Sequence, residues 1–153
     1  MYGEGRSAGF ELTDLSSDVI LFTMDIDVNR PPVENRVYEI EGITFRGFSL
    51  IQMIADKVAA ISTDKVFRRI KDVVDLYYIS HVVDFNSEAV LGAIYKSGRV
   101  IGDFSGFADK PEQLAHSYEK FRLSPDVKKP SFEEMYKRVK TYIDDILPKK
   151  QSF

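Results

Sequence analysis

The chain of 153 residues contains no cysteine and no tryptophan. Without cysteine, neither a disulfide framework nor a thiolate metal site can form. No apolar run approaches the roughly 20 residues that a membrane-spanning helix needs, and the N-terminal segment lacks the pattern of a signal peptide. The sequence therefore predicts a cytoplasmic protein without a membrane partner.

An excess of one charge sign is also absent, since 21 Lys and Arg residues stand against 24 Asp and Glu residues, for a net charge of -3. This balance argues against a non-specific nucleic-acid binder held by bulk charge, but it leaves room for an enzyme with a small basic site. The hydrophobic content of 44% and the 8 Tyr and 11 Phe residues are typical of a folded protein.

Apolar and polar residues alternate through residues 22–28, which predicts a β-strand with Asp25 and Asp27 on one face. Two carboxylates at this spacing could ligate Mg²⁺, which prefers one or two carboxylates together with substrate phosphates. The alternative is that the outer face of an antiparallel strand is simply solvated, and the pattern alone favours it.

Two short apolar segments at 37–40 and 43–45 flank Gly42, which predicts a hairpin with a tight turn. Beyond them the apolar period changes from that of strands to that of helices. The expected fold class is α+β, a small antiparallel or mixed sheet followed by a bundle of about five helices. Residues 1–48 would form the β-rich part and residues 49–153 the helical part of a single compact domain. The predicted helix starts are Ser49, Ser62, Asn86, Asp109 and Ser131.

Lys57 lies on the apolar side of the first predicted helix, beside Leu50 and Met53. A lysine in that position either extends its ammonium group along apolar surface to water or finds an anionic partner. The pattern favours the first explanation. A phosphate-bearing ligand is an alternative, because an ammonium group is a good point charge for phosphate oxygens.

The second predicted helix has a polar face that carries Arg68, Asp72 and Asp75, with Lys71 at its margin. An ordinary solvated face is the favoured interpretation of this pattern, and a nucleotide site is the alternative. His81 continues the apolar stripe of the same helix, which favours a hydrogen-bonded core histidine over a metal ligand.

Two segments resemble the conserved helices of abortive-infection nucleotidyltransferase toxins of the AbiEii type. The first, residues 55–60, matches the family's Ala-x-Lys-x-x-Ala pattern around Lys57. The second, residues 69–76, matches Arg-x-Lys-Asp-x-x-Asp-Leu. The acidic strand at residues 22–28 corresponds to a strand of the family's polymerase-β-like core, so that the resemblance covers about residues 10 to 83.

This resemblance implies transfer of a nucleoside monophosphate from a nucleoside triphosphate, with Mg²⁺, to an RNA such as tRNA or to a protein. It also implies that the chain is the toxin of a type IV toxin–antitoxin pair, with an antitoxin protein as partner. The implied roles are catalytic for Lys57, Asp72 and Asp75, substrate-binding for Lys57, Arg69 and Lys71, and metal-binding for Asp25 and Asp27.

The chain departs from the family pattern upstream of Asp25. There the family has Gly-Gly or Gly-Ser followed by an Asp-x-Asp metal pair, and this sequence has no such motif. We therefore expect the C-terminal portion of such an enzyme, and the missing motif leaves open whether that portion is active alone. Two alternatives stay open, a non-enzymatic module that binds an antitoxin or another chain, and a domain that senses nucleotides without transferring them. An exposed sheet edge would also favour a homodimer.

Overall fold

The computed structural model describes residues 7–13, 20–27, 35–84 and 86–146. The chain divides into two units, Met1–Pro32 and Val33–Phe153. The expected α+β class is confirmed, because two antiparallel hairpins precede a set of helices. None of the helices in the described ranges has the length and hydropathy needed to cross a bilayer. The strands are β1 (Ser7–Thr13), β2 (Ile20–Asp27), β3 (Asn35–Ile40) and β4 (Ile43–Phe48).

The helices belong to the second unit. They are α1 (Leu50–Ile61), a 3₁₀ turn (Val66–Arg69), α2 (Ile70–Ile79), α3 (Ser87–Lys96), α4 (Ser105–Asp109), α5 (Pro111–Lys120) and α6 (Phe132–Ile146). The described residues thus contain six α-helices where the sequence predicts about five, and the short α4 is the additional one.

The first unit contains the hairpin of β1 and β2. The predicted acidic strand is confirmed as β2, whereas the sequence does not predict β1. The antiparallel register pairs Asp25 with Gly9 and Asp27 with Ser7. The structure describes the backbone of these strands and not their side chains, so the predicted metal role of the two aspartates stays a prediction.

The second unit begins with the predicted hairpin, β3 and β4, joined by a two-residue turn. Glu41 and Gly42 both have positive φ angles, of 51° and 78°. Positive φ at both central positions is the signature of the turn that matches the twist of a tight hairpin. The Tyr38 hydroxyl group donates a hydrogen bond of 2.7 Å to the carbonyl oxygen of Phe48, which ties the two strands together at the open end.

Three helices begin at the predicted caps. The side-chain oxygens of Ser49, Asn86 and Ser131 each accept a hydrogen bond from a backbone N–H three residues further on, at 2.9 to 3.1 Å. Such a cap satisfies one of the N–H groups that a helix start leaves without an intrahelical partner.

The core of the second unit lies where α1 packs against α2 and α3, and where α6 covers α2 and α3. Each of these helices presents one apolar stripe inward, as amphipathic periodicity predicts. Fully buried members include Ile54, Val58, Ile61, Val73, Leu76, Val90, Ile94, Met135 and Val139.

The start of α2 differs from the prediction. The residues before Ile70 form a 3₁₀ turn, so Arg68 does not share a helical face with Asp72 as expected. Its guanidinium group lies instead over the Phe67 ring, 5.7 Å from the centroid. Neither the 3₁₀ turn nor α2 has a side-chain cap at its first residue. The backbone hydrogen bonds of the 3₁₀ turn therefore lead the chain into α2 in place of a cap.

A strained loop crosses the end of α1. Phe104 has a φ of 60° although its side chain is only 1% exposed, and its amide donates to the carbonyl oxygen of Ser62 at 3.1 Å. The Gly102 amide donates to the hydroxyl oxygen of the same serine at 2.8 Å. Left-handed backbone is costly for a bulky residue, so these contacts hold the conformation in place. The loop that begins with Arg99 is thereby fixed against α1.

Lys129 caps the end of α5, and Lys129→Met is expected to destabilise the protein by about 1–2 kcal/mol. Its ammonium group donates to the carbonyl oxygens of Tyr118 and Phe121 at 2.6 and 2.8 Å, and it lies 4.3 Å from the Tyr118 ring centroid. Methionine keeps the apolar stem and leaves both carbonyl groups without this donor. Urea unfolding of the variant and of Lys128→Met, an exposed neighbour, measures the effect. Equal losses in the two variants would show that the cap contributes nothing.

Candidate functional site

Lys57 on α1 meets two carboxylates of α2. Its ammonium nitrogen lies 2.6 Å from Asp75 Oδ2 and 3.4 Å from Asp72 Oδ1. The side chain is 22% exposed, so it is neither sealed in the core nor extended into solvent. A lysine at this position was expected either to reach water or to find an anionic partner. The structure supports the second explanation, and the partners are carboxylates of the chain itself.

The packing of α1 against α2 explains why these three residues meet. Val58 beside Lys57 is buried, and so are Val73 and Leu76, the neighbours of Asp72 and Asp75. Residues adjacent to buried positions lie at the edge of a helix interface. The lysine and the two aspartates therefore meet at the rim of one contact between two helices.

The surroundings of Lys57 raise its pKa above the ordinary value of 10.5. Burial is the largest single influence and acts to lower the pKa, but the hydrogen bond to Asp75 and the charges of Asp75 and Asp72 together outweigh it. Lys57 is therefore an ammonium ion at neutral pH. Because its folded-state pKa is raised, the stability that it contributes is fully present below pH 10.5 and is lost as the pH rises through the folded-state pKa.

An open cleft of about 280 Å³ lies beside Lys57 and Asp72. Lys57, Asp72 and Arg69 line one part of it, and Phe48 and Met53 provide an apolar part. The Arg69 guanidinium group is 4.0 Å from Asp72 Oδ2, and its side chain is 60% exposed. An ion pair as long and as exposed as this one contributes little to stability, so Arg69 can turn toward another anion at small cost.

A third cation of the cleft, Arg99, comes from outside α1 and α2. Arg99, in the loop after α3, lies 3.0 Å from Asp56 Oδ1. Gln52, whose side chain is buried, donates to the same carboxylate oxygen at 3.0 Å. The spacing of Gln52 and Asp56 by one helical turn was visible in the sequence, but no sequence pattern connects Arg99 to them.

Charges in and around the cleft balance. Three cations, Lys57, Arg69 and Arg99, face three carboxylates, Asp56, Asp72 and Asp75. Such an arrangement can accept a polyvalent anion if the cations exchange partners, since ammonium and guanidinium groups bind phosphate oxygens as well as carboxylates.

The described residues do not by themselves form a magnesium site. No group of three or more His, Cys, Asp or Glu side chains in the described ranges could hold a metal ion. The two carboxylates of α2 that the resemblance assigns to catalysis, Asp72 and Asp75, both contact Lys57. No step of a reaction through Mg²⁺ can be derived from these residues.

Two predicted residues lie elsewhere. Lys71, which the resemblance assigns to substrate binding, is exposed and does not line the cleft. His81, expected in the core, is exposed in the turn after α2. That expectation was wrong because α2 ends at Ile79, so that the apolar period of the helix no longer applies two residues later.

Comparison of the chain with protein-family models, with curated proteins and with solved structures gives no match.

Proposed function

We propose that the chain is a nucleotidyltransferase-like toxin of a type IV toxin–antitoxin system, and that its cleft binds the phosphates of a nucleoside triphosphate. The observation that carries this proposal is the meeting of Lys57 with Asp72 and Asp75 beside Arg69 and Arg99. Transfer of a nucleotidyl group depends mainly on positioning and on neutralising phosphate charge. A cluster of cations held by adjustable ion pairs supports such a role.

The cleft residues would act in two ways. Lys57 exchanges a carboxylate partner for a phosphate oxygen, and Arg69 turns toward the same phosphates. Phe48 and Met53 offer apolar surface against which a base or a ribose can pack. Mg²⁺ bound with the triphosphate would supply charge neutralisation.

The acceptor and the partners complete the proposal. The acceptor is an RNA, with tRNA as the first candidate, or a protein, and an antitoxin protein restrains the activity. The toxin acts in the cytoplasm as a monomer or a homodimer. Asp25 and Asp27 of β2 are the proposed metal ligands.

A transfer assay tests the proposal. Purified protein is incubated with Mg²⁺, total tRNA and each labelled nucleoside triphosphate, and label in RNA and in protein is measured. We expect transfer with one preferred nucleotide, and Asp72→Asn should abolish it while leaving the thermal unfolding temperature within a few degrees. If neither transfer nor saturable nucleotide binding occurs, and supplying the family's Gly-Ser and Asp-x-Asp segment does not restore them, the proposal fails.

The second candidate function is a non-enzymatic module that binds another chain. It is favoured by the β3–β4 hairpin, which exposes Val37, Ile40, Ile43 and Phe45, each at least 44% exposed. Exposed apolar side chains on a two-stranded sheet are common at protein contacts. Under this alternative, Lys57→Ala leaves partner binding unchanged and causes no loss of nucleotide affinity, because none exists.

A further inference from the structure

A second pocket of about 270 Å³ lies between the end of α2 and one face of α6. Its lining residues are Tyr77, His81, Glu134, Lys137, Arg138 and Thr141. None of them lines the cleft at Lys57. The four residues of α6 recur at three- and four-residue intervals, so they form one continuous face of that helix.

Two cations in this pocket have no carboxylate partner among the described residues. Arg138 donates through Nε and one terminal nitrogen to the hydroxyl and carbonyl oxygens of Ser80, at 2.9 and 2.6 Å. Both acceptors are neutral, so the guanidinium group is oriented while its charge stays uncompensated. Lys137 makes no side-chain hydrogen bond or ion pair with any residue in the described ranges. The cations of the Lys57 cleft, by contrast, are all paired with acids.

The acid of the pocket is already engaged. The Tyr77 hydroxyl group donates to Glu134 Oε1 at 2.6 Å. This hydrogen bond, with burial and the nearby negative charge, raises the pKa of Tyr77 to about 12, so the phenol stays a neutral donor. The charges of Lys137, Arg138 and Glu134 sum to one net positive charge in the pocket. This balance suits a monoanion such as a phosphodiester better than a phosphomonoester dianion.

The remaining groups suit a nucleotide unit around that phosphate. His81 Nδ1 lies 2.8 Å from the Tyr77 carbonyl oxygen, which can only accept, so this nitrogen carries the proton and the exposed ring is held in place. An exposed, oriented ring provides a stacking surface for an unpaired base. The Thr141 hydroxyl group donates to the Lys137 carbonyl oxygen at 3.1 Å, which leaves its oxygen able to accept from a ribose 2′-hydroxyl group.

We propose that the pocket of Tyr77, His81, Glu134, Lys137, Arg138 and Thr141 binds a phosphodiester of single-stranded RNA, with Lys137 and Arg138 as the phosphate contacts. The inference does not rest on the proposed transfer activity, because RNA binding needs no triphosphate. The second site adds a place where an RNA strand can be held away from the Lys57 cleft.

The test is fluorescence anisotropy of a labelled single-stranded RNA, without nucleotide or Mg²⁺, at two salt concentrations. Lys137→Glu is expected to weaken RNA binding at least about tenfold. It should also reduce the slope of log affinity against log salt concentration by the equivalent of more than one phosphate contact. The matched control is Lys120→Glu, which reverses the charge of an exposed side chain of α5 outside the pocket. It should change the affinity less than about twofold. Because the assay contains no nucleotide, its readout is independent of the proposed transfer function.

Three results would overturn the inference. The first is an equal loss in Lys137→Glu and Lys120→Glu, which would show unspecific surface charge. The second is complete displacement of RNA by an equal concentration of inorganic phosphate, which would identify a small phosphate as the ligand. The third is equal affinity for DNA of the same sequence, which would show that no 2′-hydroxyl contact at Thr141 contributes to binding.

Discussion

Lys57→Met is expected to reduce nucleotide transfer, and the affinity for a triphosphate, by about 100-fold. The substitution keeps the apolar stem and removes a cation that contacts both aspartates of α2. Without it, Asp75 loses the cation at 2.6 Å and Asp72 keeps the long contact with the exposed Arg69, so both carboxylates repel an incoming triphosphate. The loss therefore combines a missing attraction with a new repulsion, and it should exceed that of Arg69→Gln, which removes an exposed cation at the cleft margin.

The pH dependence provides an independent check on this prediction. Since the pKa of Lys57 is raised above 10.5, the ammonium group persists between about pH 6 and pH 9. The ratio of wild-type to Lys57→Met affinity should stay constant over that range, as measured by titration calorimetry. Lys120→Met serves as the control for general charge loss. A ratio that falls steadily toward pH 9 would mean that Lys57 deprotonates and that its carboxylate partners are not in place.

Gly106→Ala is expected to destabilise the second unit by about 3 kcal/mol, because it adds a methyl group where the backbone leaves no room. A Cβ atom at this position would lie 2.5 Å from the carbonyl oxygen of Asp64 and 2.6 Å from that of Thr63. Both contacts are backbone atoms, which cannot rotate away as a flexible side chain can. Relief requires α4 to move away from the segment between α1 and the 3₁₀ turn.

Gly92→Ala is the matched control for Gly106→Ala. Gly92 lies within α3, and a Cβ atom there would meet no atom within 4 Å beyond the backbone of its own helix. Alanine at this position should stabilise the protein by about 0.5–1 kcal/mol through helix propensity. Chemical unfolding of both variants against the wild type gives the comparison. A neutral Gly106→Ala variant would mean that α4 does not pack closely on the end of α1.

Local signals predicted much of the helical part. Ser49, Asn86 and Ser131 each begin a helix because a cap needs only one side-chain oxygen and a backbone N–H three residues on. The start of α2 could not be predicted in the same way. The segment at 62–64 looks like a cap, but its carbonyl groups contact the loop and α4, and the helix begins at Ile70.

The sequence predicted only the part of the candidate site that lies on α1 and α2. The apolar position of Lys57 indicated that it needed an anionic partner or a route to water, and periodicity placed Asp72 and Asp75 together on α2. The Arg99–Asp56 pair depends on a loop that returns to α1 through the contacts of Phe104 with Ser62. A pairing that arises from chain reversal over so long a separation leaves no trace in local periodicity.

The ion pairs of Lys57 also bear on which anions can bind in the cleft. Asp75 sits 2.6 Å from the ammonium group, and both aspartates are tethered at an effective concentration far above that of any dissolved salt. Chloride or bicarbonate brings one charge and cannot compete with two fixed carboxylates. A ligand that presents several negative oxygens on one chain can replace them together. Under the proposed function, these internal ion pairs would make the cleft selective for polyvalent ligands over simple anions.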